Sequence, residues 1–322
     1  MAMSAADVIG PDLEARVSRV LGRPVRDLAP MPGGHSGITL VGETEASRKV
    51  VVKVAAPGRP AVGRHDVMRQ VRAMSAAAPY VPVPDVLAVE EGEQPLAVLS
   101  FERGVATEPA IDETGAELPG DLVSARFEAA ASLLAALHRV PVEEVGDAPT
   151  VTPADELAQF ARIGRAGEPD FVEAAEQAAD VLGRDVPGPW RTGLVHGDYR
   201  LGNILFDGTS AVAIVDWEIW NVGDPRVDLG WMATFASTEP FPGIARTDVE
   251  LPGPEAVVRS YAAAVGAAVP DADWFLRLGA FRMGAMMSHN LKRHRTGRHV
   301  DPYQEKLPPT IERLLALASG QR

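Results

Sequence analysis

The sequence predicts an α+β fold of two lobes, a small β-sheet lobe followed by a larger, mostly helical one. Two observations carry this expectation. Apolar alternation bounded by turn residues is concentrated before residue 104, and helical periodicity dominates after it. Gly104 breaks the pattern between them, so the division is set at 1–103 and 104–322, with a linker near 99–103 and a cleft between the lobes.

In the first lobe, residues 12–21 place Leu13, Val17, Val20 and Leu21 on one face of a short helix. Residues 31–37 are a turn-rich loop. Strands are expected at 38–42 and 49–55, joined by the polar turn 43–48, and at 86–90 and 96–101 around Glu91-Gly92. A helix is expected over 65–77, ended by Pro79. In the second lobe, helices are expected at 124–139, at 153–182 as one or two pieces, and at 226–235, 254–266, 273–294 and 309–317. Short strands are expected at 194–195, 204–206 and 211–215.

Composition bounds the function. A length of 322 residues suits two domains, and 46% apolar residues supply a sizeable core. The formal charge of −13 argues against nucleic-acid binding, because phosphate backbones attract basic surfaces. With no cysteine, disulfides and thiolate chemistry are excluded. No apolar run reaches the roughly 18 residues of a membrane span, and the first residues lack the features of a signal peptide. A cytoplasmic location is therefore expected.

Residues 196–228 carry the chemistry. They read His196-Gly197-Asp198-Tyr199-Arg200-Leu201-Gly202-Asn203, then Asp216-Trp217-Glu218, then Gly223-Asp224-Pro225-Arg226-Val227-Asp228. A loop of this length can point Asp198 and Asn203 into one space. Asp198 can then orient a hydroxyl and accept its proton, and Asn203 can offer its carbonyl oxygen to magnesium. Asp216 emerges at the end of the apolar strand 211–215 as a second metal ligand. Asp and Asn are also common turn formers, but turn chemistry does not explain the whole ordered array.

The array resembles the aminoglycoside phosphotransferase family, which is related to choline kinases and protein kinases. The resemblance implies a bilobal, protein-kinase-like fold. It makes Asp198 the catalytic aspartate and Asn203 and Asp216 the magnesium ligands, with His196 and Asp228 supporting the loop. It implies a nucleotide site in the first lobe, built from Gly33, Gly34, His35, Ser36 and Lys53. The glycines let backbone amides approach phosphates, although the loop is neither a Walker A motif nor a complete Gly-x-Gly-x-x-Gly. By the same resemblance, Lys53 contacts the α- and β-phosphates. The linker with Ser100 and Glu102 would receive the base. The helix over 65–77 contains no Glu to pair with Lys53, and Asp66 and Gln70 are the polar candidates.

The implied activity moves the γ-phosphate of Mg²⁺-ATP, with GTP as the alternative nucleotide, to a hydroxyl of a small molecule. An aminoglycoside or another cationic or antibiotic acceptor is one option. A metabolite such as an amino alcohol or sugar is another, and a catalytically silent nucleotide-binding regulator is a third reading. Protein kinase activity is disfavoured, since His-Gly-Asp and Asp-Trp-Glu stand where His-Arg-Asp and Asp-Phe-Gly would. Residues 141–190 hold eleven acids against three arginines, which would form either an acidic cleft wall or a solvated face. The basic run at 292–299 is read as a solvated helix end, and its histidine spacing does not suit zinc.

Overall fold

The computed structural model describes residues 11–31, 38–55, 63–111, 119–146, 148, 150–188 and 190–321. Its first lobe is a five-stranded antiparallel sheet in the order β1-β2-β3-β5-β4. The strands are β1 (Val25–Pro30), β2 (Ile38–Thr44), β3 (Lys49–Val54), β4 (Val86–Glu90) and β5 (Leu96–Ser100). Period-two alternation sorts β3 into two faces. Val50, Val52 and Val54 point to a core shared with Leu13 and Val17 of helix α1 (Pro11–Leu21). The opposite face carries Lys53 toward helix α2 (Val67–Ala77), which packs on Ala97 and Leu99 through Val71 and Met74. Asp66 caps α2, its carboxylate accepting from the N–H groups of Met68 and Arg69 at 2.9 and 3.2 Å.

Strand β1 was not expected from the sequence. Its register shifts between Arg26 and Ala29, and Asp27 has φ of 57°. That bulge destroys the alternation by which a strand is recognised.

The chain leaves the sheet after Ser100 and runs without regular structure to Gly104. A Cβ on Gly104 would lie 3.0 Å from that of Leu205, so only glycine lets the chain cross this close to the second lobe. Val105 then bridges to Phe206.

The second lobe contains α3 (Gly120–Leu137), α4 (Pro153–Arg165), α5 (Pro169–Arg184), α6 (Arg226–Thr234), α7 (Pro254–Val265), α8 (Ala272–Arg295) and α9 (Pro308–Ala318). The expected helical stretch at 153–182 is thus two helices. They part near Gly167, where a Cβ would meet the Ser288 hydroxyl at 2.3 Å. Two small sheets sit among these helices. One orders β6 (Thr150–Val151), β10 (Asn221–Gly223) and β7 (Gly193–Val195) as β6-β10-β7, and the other is the hairpin of β8 (Ile204–Asp207) and β9 (Ser210–Ile214). Strands β6 and β10 escaped the sequence reading, being too short to show a period.

Helix α6 crosses α8 at a backbone-to-backbone contact. A Cβ on Gly230 would lie 2.1 Å from the Phe275 carbonyl oxygen, and one on Gly279 would lie 2.4 Å from the Gly230 carbonyl oxygen. Gly230→Ala should therefore destabilise the protein by about 3 kcal/mol or more through overpacking against backbone. A lowered urea midpoint with unchanged m-value would show this.

Candidate active site

The site is assembled around the end of β7. Asp228 on α6 is fully buried, and its carboxylate accepts hydrogen bonds from the backbone N–H of His196 (2.7 Å) and of Gly197 (2.8 Å). His138, at the end of α3, faces the same carboxylate at 3.5 Å and is itself 2.8 Å from the Tyr261 hydroxyl. Burial alone pushes the Asp228 carboxyl up. The hydrogen bond and charge of His138, with the charge and backbone N–H of His196, outweigh it and hold the group below its ordinary value. Gly197 has φ of 87°, and a Cβ there would strike the Ile219 carbonyl oxygen at 2.6 Å, so the loop admits no other residue without moving.

His196 links the two motif loops. Its Nε2 lies 3.0 Å from the Val215 carbonyl oxygen, and its ring packs edge-on against Trp217 at 4.8 Å. The Val215 N–H in turn donates to the Asn203 carbonyl oxygen at 2.9 Å. Tyr199 anchors the other side of the loop, its buried hydroxyl donating to the Ala130 carbonyl oxygen of α3 at 2.8 Å.

Asp198 remains partly exposed, and donors hold both of its oxygens. The Trp231 indole N–H reaches Oδ1 at 2.7 Å, and the Asn203 amide reaches Oδ2 at 2.8 Å. Asn203 Nδ2 also donates to the Asp198 backbone oxygen at 2.8 Å. Both amide hydrogens are thereby spent, which leaves the amide oxygen, a hard donor, as the group able to meet a cation. Asp216 follows Val215, is exposed, and has φ of 66°. Aspartate tolerates this left-handed region better than most residues, and strained backbone of this kind collects at functional loops. Among the described residues, no three His, Asp or Glu side chains form a metal cluster. Asn203 and Asp216 could thus hold magnesium with waters and phosphate oxygens completing its shell, which is how this ion is commonly bound.

Lys53 donates to Gln70 Oε1 of α2 at 2.8 Å, so its partner on this helix is an amide. Asp66 is committed to the helix cap. Arg69, next to Gln70, ties α2 to the second lobe. Its guanidinium donates to the carbonyl oxygens of Glu218 and Trp220 and lies 4.2 Å from the Trp220 ring centroid, while the Trp220 indole donates back to the Arg69 carbonyl oxygen at 2.9 Å.

At the linker, Ser100 N–H donates to the Asp85 carbonyl oxygen at 2.9 Å, Ser100 Oγ accepts from the Asp85 N–H at 2.8 Å, and its hydroxyl donates to Glu102. These bonds fix the linker against the start of β4. Gly33, Gly34, His35 and Ser36 lie outside the described residues.

The sequence reading missed several contributors. Trp231 stands one helical turn after Asp228, and that spacing was the available signal. Arg200, paired to Asp198 at 3.4 Å and to Glu108 at 3.3 Å, lay inside the motif. His138, Glu156 and Arg282 come from distant helices and carry no local signal. Of the acids of 141–190, Glu143, Glu144, Asp155, Asp170, Glu173, Glu176, Asp180 and Asp185 are exposed, and Glu156 is buried. The basic run makes ion pairs at the surface, Arg295 joining Glu305 and Glu168.

A partly exposed Asp198 held by Asn203 and Trp231, with a lysine-bearing sheet in the first lobe, is compatible with a kinase-like phosphotransferase. The phosphotransferase enzyme family model matches residues 27–272, and the chain belongs to that family. Solved structures share its bilobal, protein-kinase-like α+β fold. A Ralstonia eutropha protein described as a candidate aminoglycoside phosphotransferase superposes with a TM-score of 0.76 at 22% identity, covering 96% of this chain and 98% of its own. Aminoglycoside phosphotransferase APH(4)-Ia, solved with AMP-PNP and hygromycin B, gives 0.66 at 18% identity over 96% and 99%. Macrolide 2'-phosphotransferase MphH from Brachybacterium faecium gives 0.60 at 20% over 94% and 96%. Among curated proteins, the mouse acyl-CoA dehydrogenase family member 10 is 27% identical over 273 residues, which is 78% of this chain and 25% of that protein. The chain thus spans about a quarter of the length of that relative.

The Asp228 anchor yields a pH prediction. Its carboxyl lies lower in the folded state than the roughly 3.9 of an unfolded aspartate, so its stabilisation is complete above that value and is lost as pH falls through the folded-state value. Asp228→Asn, which turns an amide toward a backbone N–H, should destabilise by about 2–3 kcal/mol near neutral pH. Urea melts of both proteins should show the gap narrowing at the acid end.

Proposed function

We propose that this phosphotransferase family member moves the γ-phosphoryl group of a magnesium-bound nucleotide, ATP in the first instance, to a hydroxyl of a small molecule. The observation that supports this reading most directly is the carboxylate of Asp198. It is held by donors on both oxygens, partly exposed, and hydrogen-bonded to Asn203, whose amide oxygen remains for a cation.

In this reading the acceptor hydroxyl lies against Asp198 and its oxygen attacks the γ-phosphorus in line. The bond from that phosphorus to the β–γ bridging oxygen breaks, ADP leaves with that oxygen, and the hydroxyl proton passes to Asp198 late in the step. Asn203 and Asp216 would hold magnesium, which when bound neutralises phosphate charge. Lys53 would hold the α- and β-phosphates, and Gly33, Gly34, His35 and Ser36 are the residues proposed for the phosphate loop. Gln70 orients the Lys53 ammonium without cancelling its charge. Arg200 offers a further positive charge beside Asp198.

The acceptor is a separate question. The mouse relative carries its matching segment in a protein named for acyl-CoA chemistry, which favours a second class, a hydroxyl borne on an acyl thioester. A panel of aminoglycosides, macrolides, amino alcohols, sugars and hydroxyacyl-CoAs, read by acceptor-stimulated ADP release, separates these classes. Stimulation by none, with intact Mg-nucleotide binding, would instead favour a catalytically silent regulator. Asp198→Asn should lower transfer by about 10³-fold and leave nucleotide affinity within a few-fold. Near wild-type turnover in that variant would remove Asp198 from the role of base.

A further inference from the structure

We infer that Trp231 is a positioning residue for Asp198, and that Arg282 and Glu156 hold the Trp231 indole in place. The inference rests on the reading of Asp198 as the base. A carboxylate on a loop can rotate about its Cβ–Cγ bond. Here a donor on each oxygen removes that freedom, Trp231 Nε1 at 2.7 Å on Oδ1 and Asn203 Nδ2 at 2.8 Å on Oδ2. Asn203 lies on the same loop, whereas Trp231 comes from α6 and fixes the carboxylate to the body of the lobe. Because Trp231 is three residues beyond Asp228, one helix supports the backbone of the loop and aims its reactive side chain.

Behind the indole lies Arg282 of α8. Its guanidinium is 5.0 Å from the Trp231 ring centroid and 4.9 Å from that of Phe160, and its Nη2 donates to the carbonyl oxygen of Gly197 at 2.8 Å. Arg282 thus touches both supports of Asp198, the indole that orients it and the residue that precedes it. Its charge partner is Glu156 of α4, with Nε 3.7 Å from Oε2. Both residues are more than nine-tenths buried, yet Arg282 Nε and Nη1 and Glu156 Oε2 make no hydrogen bond. Buried charges need good geometry to offset desolvation, and this pair stays at 3.7 Å. Instead the guanidinium is placed by the rings and by the Gly197 carbonyl.

The consequence for chemistry is geometric. With one lone pair of Oδ1 committed to the indole, the acceptor hydroxyl meets a carboxylate of fixed plane, and a misplacement of about 1 Å in such a group can lower a rate about 100-fold. Trp231→Phe keeps an aromatic ring toward Arg282 and Phe235 and removes the N–H together with the five-membered part of the indole. With Mg-ATP and water as acceptor, ADP release should fall 10- to 100-fold, while affinity for Mg-AMP-PNP, read by calorimetry, stays within two-fold. The unmodified protein supplies a second measurement. Among its five tryptophans, the ¹⁵N-indole resonance of Trp231, assigned through its backbone, should shift in Asp198→Asn. An unshifted indole, or Trp231→Phe with unchanged ADP release, overturns the inference. If Asp198→Asn itself leaves ADP release unchanged, it is the reading of Asp198 as base that fails. Loss in Asp198→Asn with none in Trp231→Phe refutes the positioning role alone.

Discussion

A charged carboxylate with no solvent access must find its compensation in the protein, and Asp228 finds it in the loop that carries Asp198. The two backbone N–H groups it receives belong to His196 and Gly197, so the carboxylate and the loop stabilise each other. Neither could relax alone: the loop would lose its acceptor, and the carboxylate would be buried without donors. This reciprocity sets the position of α6 with respect to β7. It also explains the glycines at the α6–α8 crossing, where Gly230 and Gly279 let the backbones touch. A bulkier residue there would push α6 outward and carry Asp228 with it.

The first lobe is coupled to this arrangement through α2. Arg69 grips the carbonyl groups of Glu218 and Trp220, just past the strained Asp216, and Gln70 on the same helix meets Lys53. A displacement of α2 would therefore move the lysine and disturb the chain beside the second metal-ligand candidate together. The amide at position 70 alters the electrostatics of this link. A carboxylate would attract the lysine strongly and neutralise it. An amide oxygen gives direction with little charge, so the ammonium keeps its full positive charge.

The sequence made the motif loops legible because their order is fixed by chemistry that needs those residue types within a few positions of each other. Asp198 and Asn203 share one hairpin entrance, and Asp216 lies at the end of a strand whose apolar run announces it. The lobe division was legible for a related reason, since period-two and period-3.6 patterns occupy different parts of the chain. Three things were not legible. Strand β1 is broken by a bulge at Asp27. The role of Asp66 was ambiguous, because the same carboxylate can pair with a lysine or cap a helix, and only the three-dimensional path of the chain decides which. His138, Glu156 and Arg282 reach the site from helices far apart in sequence, where a polar residue in an apolar stretch signals burial without saying beside what.

The same distinction explains why the mechanism can be read more readily than the acceptor. Groups that handle phosphate must match a fixed set of charges; in the proposed reading these are Asp198, paired with Arg200 at 3.4 Å, Asp216 after β9 and Lys53 on the first lobe. Behind Asp198 the wall is apolar. Trp231 meets Phe235 edge-on at 5.7 Å, Phe235 stacks on Phe241 at 5.6 Å, and Arg200 extends over Phe235 at 5.5 Å. These rings are almost fully buried, so they shape the wall and do not themselves present chemistry to a ligand. An acceptor would be selected by shape against that wall and by the polar atoms at its rim. Shape is set by the packing of α4, α6 and α8 as a whole, a property spread over many residues and compressed into no motif.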